Sequence, residues 1–398
     1  MPPVSRHALT FVLLSVLIDT IGFGIVLPVL PELIIELRHT GLDDAARWGG
    51  WLAFAYAAMQ FVCAPIIGNL SDRFGRRPVL LASLAGFGLD YLMMAFAPTL
   101  AWLFIGRMIA GMTGAAYSTA NAFIADITPP EKRAQNFGLM GAAFGVGFIL
   151  GPAIGGYLGT MGTRAPFFAA SALALANVVY GYFVLPESLP LDKRRPFSFA
   201  LANPLGTLRL LGKHRGVTAL ASALMLWMLG HQVLPNVWTY YTMLRFQWDP
   251  RMVGLSLAAA GVSMIVVQGT LTRVAIPRLG ERRAAMLGLV FGAAGYFCYA
   301  FATAGWMMFA GLAVFAMSGL VYPSINGLMS QRAGADEQGA LQGAVSSLYG
   351  LTEIIGPIMM TQLFALFSSP AAPLLFPGAP FAAAGLLALA ALGIVIRK

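Results

Sequence analysis

Four charged residues lie inside long apolar runs, where a charge is costly and marks a working group by default. They are Asp19, Asp90, Arg107 and Glu353. Asp19 and Asp90 each stand about eleven residues into their runs, roughly 16 Å at ~1.5 Å per residue. That depth is near the middle of a hydrocarbon core about 30 Å thick. Glu353 stands at a similar depth in a later run, and Arg107 lies nearer the end of its own. An apolar pocket favours a neutral carboxyl, and a neighbouring arginine favours a charged one. An acid that alternates between the two can take a proton on one side of a membrane and release it on the other. Arg107 suits this exchange or a standing counter-ion role, and Glu353 suits a second-half acid or a structural partner.

Two further constellations stand out. Asp72 sits among Arg73, Arg76 and Arg77, between Gly68 and Gly75. A carboxylate among three arginines at a membrane face can pair within the cluster or with a helix N-terminus of the opposite half. Such a latch holds two halves together in one state and frees them in another. The stretch His231-Gln232-Val-Leu-Pro-Asn236-Val-Trp238-Thr-Tyr240-Tyr241 is polar for an apolar run. Aromatic walls with a few amides suit a broad site for an amphipathic molecule. His231 is the residue type that changes charge in the physiological range. Tyr240 and Tyr241, near the end of the run, read as an interfacial aromatic belt. Asp126, with Glu131, Lys132 and Arg133 close in sequence, reads as part of a set of surface ion pairs.

The elements that hold these residues follow from composition. Of 398 residues, 58% are hydrophobic and 10% charged, with a mean hydropathy of +0.76. Soluble domains carry about 25% charge, so an ordinary soluble enzyme and a disordered chain are both excluded. The long unbroken apolar runs also exclude a transmembrane β-barrel, whose strands alternate. Twelve runs are long enough to span: 8–31, 48–70, 79–97, 101–123, 137–159, 165–185, 218–243, 252–274, 284–302, 306–328, 339–367 and 380–396. The first is too long for a signal-peptide core and reads as a retained span. The net charge of +9 would suit nucleic acid, but the basic residues sit in short loops. With the N-terminus inside, 19 Lys/Arg fall on the inner side, 5 on the outer side, and Arg107 within a span. That asymmetry places both termini in the cytoplasm. Cys63 and Cys298 lie in apolar runs, where no structural disulfide is expected, and no Cys/His cluster suggests a metal.

A shift of 205 residues carries the first half onto the second. Gly75 maps to Gly280, Gly138 to Gly343, Gly145 to Gly350, and Gly151-Pro152 to Gly356-Pro357. The expected fold is therefore all-α: twelve transmembrane helices in two parallel six-helix repeats, 1–185 and 218–398, joined by a cytoplasmic loop, 186–217. This is the layout of transporters that rock one half against the other.

The loop Gly68-Asn-Leu-Ser-Asp72-Arg73-Phe-Gly75-Arg76-Arg77-Pro resembles the signature loop of the major facilitator superfamily. Span five carries Gly145-Val-Gly147-Phe-Ile-Leu-Gly151-Pro152-Ala-Ile-Gly155-Gly156, which resembles the antiporter motif of that superfamily. Asp19-Thr-Ile-Gly22-Phe-Gly24, Tyr56-Ala-Ala-Met-Gln60, Leu89-Asp90-Tyr91, Gly106-Arg107 and Gln342-Gly343 are similar to the bacterial tetracycline–proton antiporters. The resemblance runs through nearly the whole chain. It implies a protein of the cytoplasmic membrane that exports drugs against proton influx. It also implies proton coupling at Asp19, Asp90 and Arg107, and substrate contacts at Tyr56, Gln60, Gln232 and Trp238, with His231 and Asn236 beside them. That family carries a histidine in span eight and an acid in span nine; here Met264 and Gly292 stand at those places.

The functional expectation is proton-driven export of tetracycline-like or other amphipathic drugs by alternating access. The alternative is an importer or proton symporter of the same fold, which the Gly151-Pro152 pattern disfavours. An intramembrane enzyme would need a nucleophile–base pair or paired metal-binding carboxylates, and the sequence has neither. No phosphate loop of the Gly-x-x-x-x-Gly-Lys-Ser/Thr type is present, and a sensor would want a longer central loop or an added domain. The expected partners are the lipid bilayer, protons and a small substrate, arriving as a magnesium chelate in the tetracycline case. No nucleic acid and no cofactor are expected, and a monomer suffices.

Overall fold

A computed structural model describes residues 6–114, 116–197, 215–334 and 337–397, and among these every regular element is helical. In the first half lie α1 (Arg6–Val26), α2 (Leu30–Arg38), α3 (Leu42–Phe74), α4 (Arg76–Ala95), α5 (Leu100–Thr113), α6 (Ala116–Ile127), α7 (Pro130–Gly159) and α8 (Ala165–Val184). In the second lie α9 (Arg215–His231), α10 (Val233–Phe246), α11 (Pro250–Val266), α12 (Thr272–Leu279), α13 (Glu281–Ala300), α14 (Gly305–Ala316), α15 (Val321–Ser330), α16 (Gln338–Ser368) and α17 (Ala379–Ile396). Among the described residues twelve stretches are long and apolar enough to cross a membrane, one for each run read from the sequence. Residues 198–214, which carry Arg209 and Lys213 of the central loop, lie outside the described residues.

The boundaries move for local reasons. Span one stops at Val26 rather than 31, and α2 restarts at Leu30. Pro28 cannot donate a backbone hydrogen bond and disfavours a helical residue before it, whereas Pro31 fits a first turn. Span two begins at Leu42 rather than 48, with Asp43 and Asp44 in its first turn, where carboxylates meet the positive end of the helix dipole. Span seven is two helices meeting at Gln232. A π turn at Val267–Leu271 interrupts span eight.

The internal repeat recurs as backbone geometry. Gly75, before α4, has φ +104°, and Gly280, before α13, has φ +77°. Both loops turn through a conformation that only glycine adopts without strain.

Two compact units emerge, and each contains a segment from the other sequence half. The first comprises 1–39, 55–203 and 249–258; the second comprises 40–54, 204–248 and 259–398. A core in the first unit gathers Phe11, Val12, Leu80, Leu84, Phe123 and Met140 from α1, α4, α6 and α7.

Candidate functional site

Glycines bring α1 against α7. A Cβ at Gly147 would lie 2.7 Å from Thr20 Cβ, one at Gly151 2.7 Å from the Ile21 carbonyl, and one at Gly155 2.7 Å from Ile25 Cα. The three recur every fourth residue and so share one helix face. Gly24 returns the contact against Pro152. Gly156, on a neighbouring face, packs on the backbone of Pro250 and Arg251, and Gly254 packs on Pro152. The motif thus seats span one and, within the same unit, the start of α11.

That packing seats Asp19. The residue is half-buried, and its Oδ1 is buried and accepts no hydrogen bond among the described residues. Gly22, one turn on, leaves room for the Tyr91 ring, which a Cβ there would meet at 3.0 Å. Asp90, beside Tyr91, is fully buried and differently served. Arg107 donates to it through Nε at 3.3 Å and pairs with its Oδ2 through Nη2. Gly106 makes room for this carboxylate, since a Cβ there would stand 2.7 Å from Asp90 Oδ1. The Arg107 guanidinium also lies 5.8 Å from the centre of the Tyr56 ring. Gln60 donates to the Gly114 carbonyl at 3.4 Å. Asp90, Arg107 and Tyr56 therefore form one connected group from spans three, four and two.

The signature loop is a network inside the first unit. Arg76 reaches Asp72 Oδ1 at 2.6 Å, Asp126 Oδ2 at 3.2 Å and Ser71 Oγ at 2.6 Å. Its backbone N–H donates to Glu187 Oε1 at 2.8 Å. Arg77 donates to the Tyr182 carbonyl at 2.5 Å, and Arg73 lies over the Phe74 ring. Ser71 Oγ donates to the Gly68 carbonyl at 2.7 Å. The segment after α8 covers the cluster: Ser188 donates to Asp126 at 3.2 Å, and the Arg195 N–H donates to the Asp72 carbonyl at 3.1 Å. A cavity of about 370 Å³ between Arg76, Lys193 and Arg195 carries the carboxylates of Asp72 and Asp126. Sequence reading grouped Asp126 with Glu131, Lys132 and Arg133. The structure pairs it with Arg76, while Arg133 donates to the Thr128 and Ala125 carbonyls. Glu187 was not foreseen. Its signal is a carboxylate just past the end of span six, beside a basic run.

In the second unit, His231 sits where span seven breaks. Its Nδ1 lies 3.3 Å from the Tyr296 hydroxyl, and its ring packs with Trp227 and Phe315. Gln232 presses on span eleven: a Cβ at Gly356 would lie 2.5 Å from Gln232 Cβ. Asn236 donates to the Gln232 carbonyl at 2.9 Å and to its Oε1 at 3.2 Å. Trp238 lies in the core, 2% exposed, edge-on to Tyr299 at 5.1 Å.

The belt reading of Tyr240 and Tyr241 is corrected here, because both are buried. Tyr241 donates to the Tyr299 carbonyl at 2.8 Å, and the Tyr240 ring lies where a Gly49 side chain would stand. Their polar ends are directed into helix packing rather than to an interface. Gly292 is also explained. A Cβ there would meet Trp227 Cζ3 at 2.6 Å, so the indole occupies the space an acidic side chain would need. Met264 is half-buried. Glu353 is half-buried too, and accepts a hydrogen bond from Tyr349 one turn earlier.

Comparison with known families decides the class. The description of the Major Facilitator Superfamily matches residues 12–357 and, in a second alignment, 239–397. The chain belongs to the major facilitator superfamily. It is 42% identical over 365 residues to "Tetracycline resistance protein, class C" of Escherichia coli, spanning 92% of this chain and 91% of that one. It is 41% identical to the class G protein of Vibrio anguillarum, over 90% and 91% of the two chains. Among solved structures, it superposes on the human organic anion transporter MFSD10 (TETRAN) with a TM-score of 0.71 and 24% identity, over 99% and 100% of the chains. This superfamily member is a multi-pass transporter of small molecules in the inner membrane, with twelve spanning helices.

Proposed function

We propose that the protein is a proton-coupled antiporter that exports tetracycline-like or other amphipathic drugs from the cytoplasm by alternating access. Its likeness to tetracycline resistance proteins over nine-tenths of its length supports the substrate class. The observation that carries the mechanism is the contrast between the two carboxylates of the first unit. Asp90 is held by Arg107, whereas Asp19 Oδ1 is buried without a partner among the described residues. Desolvation disfavours a charged carboxylate that has no cation beside it, and an arginine favours one. When water reaches Asp19, the charged form is solvated and the proton leaves. Asp19 is thus the proton carrier, and Asp90 is the acid held charged by its arginine, with no net charge left on the pair.

Glu353 is the membrane-embedded acid of the second unit, in place of one at position 292. The Asp72–Arg76–Asp126 network, covered by Glu187 and Ser188, is the element that transport must make and break. Tyr56, Gln60, Gln232 and Asn236 are the substrate contacts, and Trp238 supports them from the core. Both termini face the cytoplasm. The proton gradient is the only energy source, tetracycline travels as its magnesium chelate, and one chain performs the cycle.

The test is proton release and drug flux in proteoliposomes, with tetracycline and magnesium. The wild type should move both, and Asp19→Asn should abolish both while the protein still folds. Proton exchange driven by another amphipathic compound but not by tetracycline would reassign the substrate. Flux without proton movement would end the antiport reading.

A further inference from the structure

Span eleven carries a polar stripe that the fold does not demand. Gln342, Ser346 and Tyr349 are exposed, and Glu353 is half-buried. Their spacing of four, three and four residues keeps all of them within about 60° of one another on α16, at 100° per residue. Gln342 donates to Asn326 of α15 at 3.4 Å, and Ser346 donates back to the Gln342 carbonyl at 2.9 Å. Hydrocarbon cannot solvate amide, hydroxyl and carboxyl groups, so an exposed polar face on a spanning helix faces water or a ligand.

The internal repeat supplies a control. The shift of 205 carries Gln342, Ser346, Tyr349 and Glu353 onto Phe137, Gly141, Phe144 and Phe148 of span five. There Phe144 and Phe148 stack at 6.4 Å. The same face of the same repeated helix is therefore aromatic in one half and polar in the other, and packing alone cannot account for the polar version.

The stripe runs from the Gln338 end of α16 into its middle and stops at Glu353. One turn further on, the Gln232 side chain lies against Gly356, with Asn236 hydrogen-bonded to its amide. Tyr349 donates to Glu353, and among the described residues no cation pairs with it. It is also the only carboxylate in the interior of the spans of the second half. A carboxylate in an apolar span without a standing counter-ion binds either a proton or a cation from outside.

We propose that Glu353, at the end of this stripe and one turn before the glycine on which Gln232 packs, is a subsite for an organic ammonium group of the exported molecule. The inference rests on the antiporter reading and names the substrate class within it: amphipathic cations. Tetracycline, with its dimethylammonium group, is one such molecule. Proton and ammonium compete for the one carboxylate, so loading of one discharges the other.

The test is equilibrium binding to purified protein of three probes: tetraphenylphosphonium, tetracycline, and tetracycline lacking the dimethylamino group. Glu353→Gln should weaken tetraphenylphosphonium and tetracycline at least tenfold and the amine-free compound less than twofold. Glu353→Asp should restore most of the loss. In the unsubstituted protein, tetraphenylphosphonium should slow carbodiimide labelling of Glu353, mapped by mass spectrometry, which keeps the test available if Glu353→Gln does not fold. Equal tetraphenylphosphonium affinity in wild type and Glu353→Gln, or labelling that the cation does not slow, overturns the subsite. Glu353-dependent cation binding in a protein that exchanges no tetracycline for protons keeps the subsite and removes tetracycline as the cargo.

Discussion

At the scale of single residues, the membrane-embedded charges divide by whether a partner reaches them. Asp90 has Arg107, while among the described residues no cation pairs with Asp19 or Glu353. Removing one member of a buried pair leaves the other desolvated, at a typical cost of about 3–5 kcal/mol, whereas removing both can be nearly neutral. Arg107→Ala should therefore lower thermal stability in detergent far more than Asp90→Ala/Arg107→Ala does. If the double variant is the less stable, Asp90 is not left uncompensated when Arg107 is removed. Gly292 shows the same logic of space. An acid is absent there because Trp227, within the aromatic group around His231, already occupies the volume.

At the scale of elements, the two repeat-related glycines separate backbone strain from side-chain contact. Gly75 and Gly280 both have positive φ with extended ψ, a region that is essentially glycine-only and costs another residue about 1–3 kcal/mol. A Cβ at Gly75 would also stand 2.7 Å from the Glu187 carboxyl carbon, whereas one at Gly280 meets nothing within 4 Å. Gly75→Ala should thus be more destabilising than Gly280→Ala, and since Arg194 Nη2 would also stand 2.8 Å from that Cβ, Glu187→Ala/Arg194→Ala should bring the two losses together. Equal losses in the otherwise unchanged protein would show that Glu187 moves aside freely. The comparison also tests whether the segment after α8 belongs to the signature network.

At the scale of the molecule, sequence halves and packed units do not coincide. Residues 249–258 join the first unit, and residues 40–54 join the second. Within the first unit this sets Asp249 against Glu32 of α2, outside the spanning helices. Partial burial and the Asp249 carboxylate both raise the Glu32 pKa above the ordinary carboxylate value. The native state then binds that proton more tightly than the unfolded chain does. Its stabilising effect is complete below the ordinary carboxylate range and is lost as pH rises through the raised value. Hydrogen exchange of α2 amides should accelerate over that window, and Asp249→Asn should shrink the effect; no change in Asp249→Asn would exclude the carboxylate as a cause.

Orientation also belongs to this scale. In a Cys63→Ala/Cys298→Ala background, an impermeant thiol reagent should label a cysteine placed at Thr160 from outside, and one at Lys193 only after the membrane is opened. The reverse pattern would invert the topology. Large apolar side chains such as Phe183, Trp306 and Leu386 are exposed on the spanning helices.

All twelve spans, the repeat and the embedded charges could be read from residues alone. Each depends on something local: the summed hydropathy of about 20 residues, a glycine that needs positive φ, or a charged side chain within an apolar run. That span five admits a close neighbour was legible too, because its glycines leave room for another backbone; that the neighbour is span one was not. Partnership was not legible. Whether Arg107 serves Asp90 or Asp19 depends on helix rotation and crossing, which no local pattern states. The same holds for Tyr240 and Tyr241, which the sequence places near the end of a span and the fold buries. It holds also for Asp126, whose partner Arg76 is 50 residues away. Span eleven shows the division most plainly. The spacing of Gln342, Ser346, Tyr349 and Glu353 is a property of the chain, but their exposure rather than burial was decided by tertiary packing, which selects the face of a helix that its neighbours leave open.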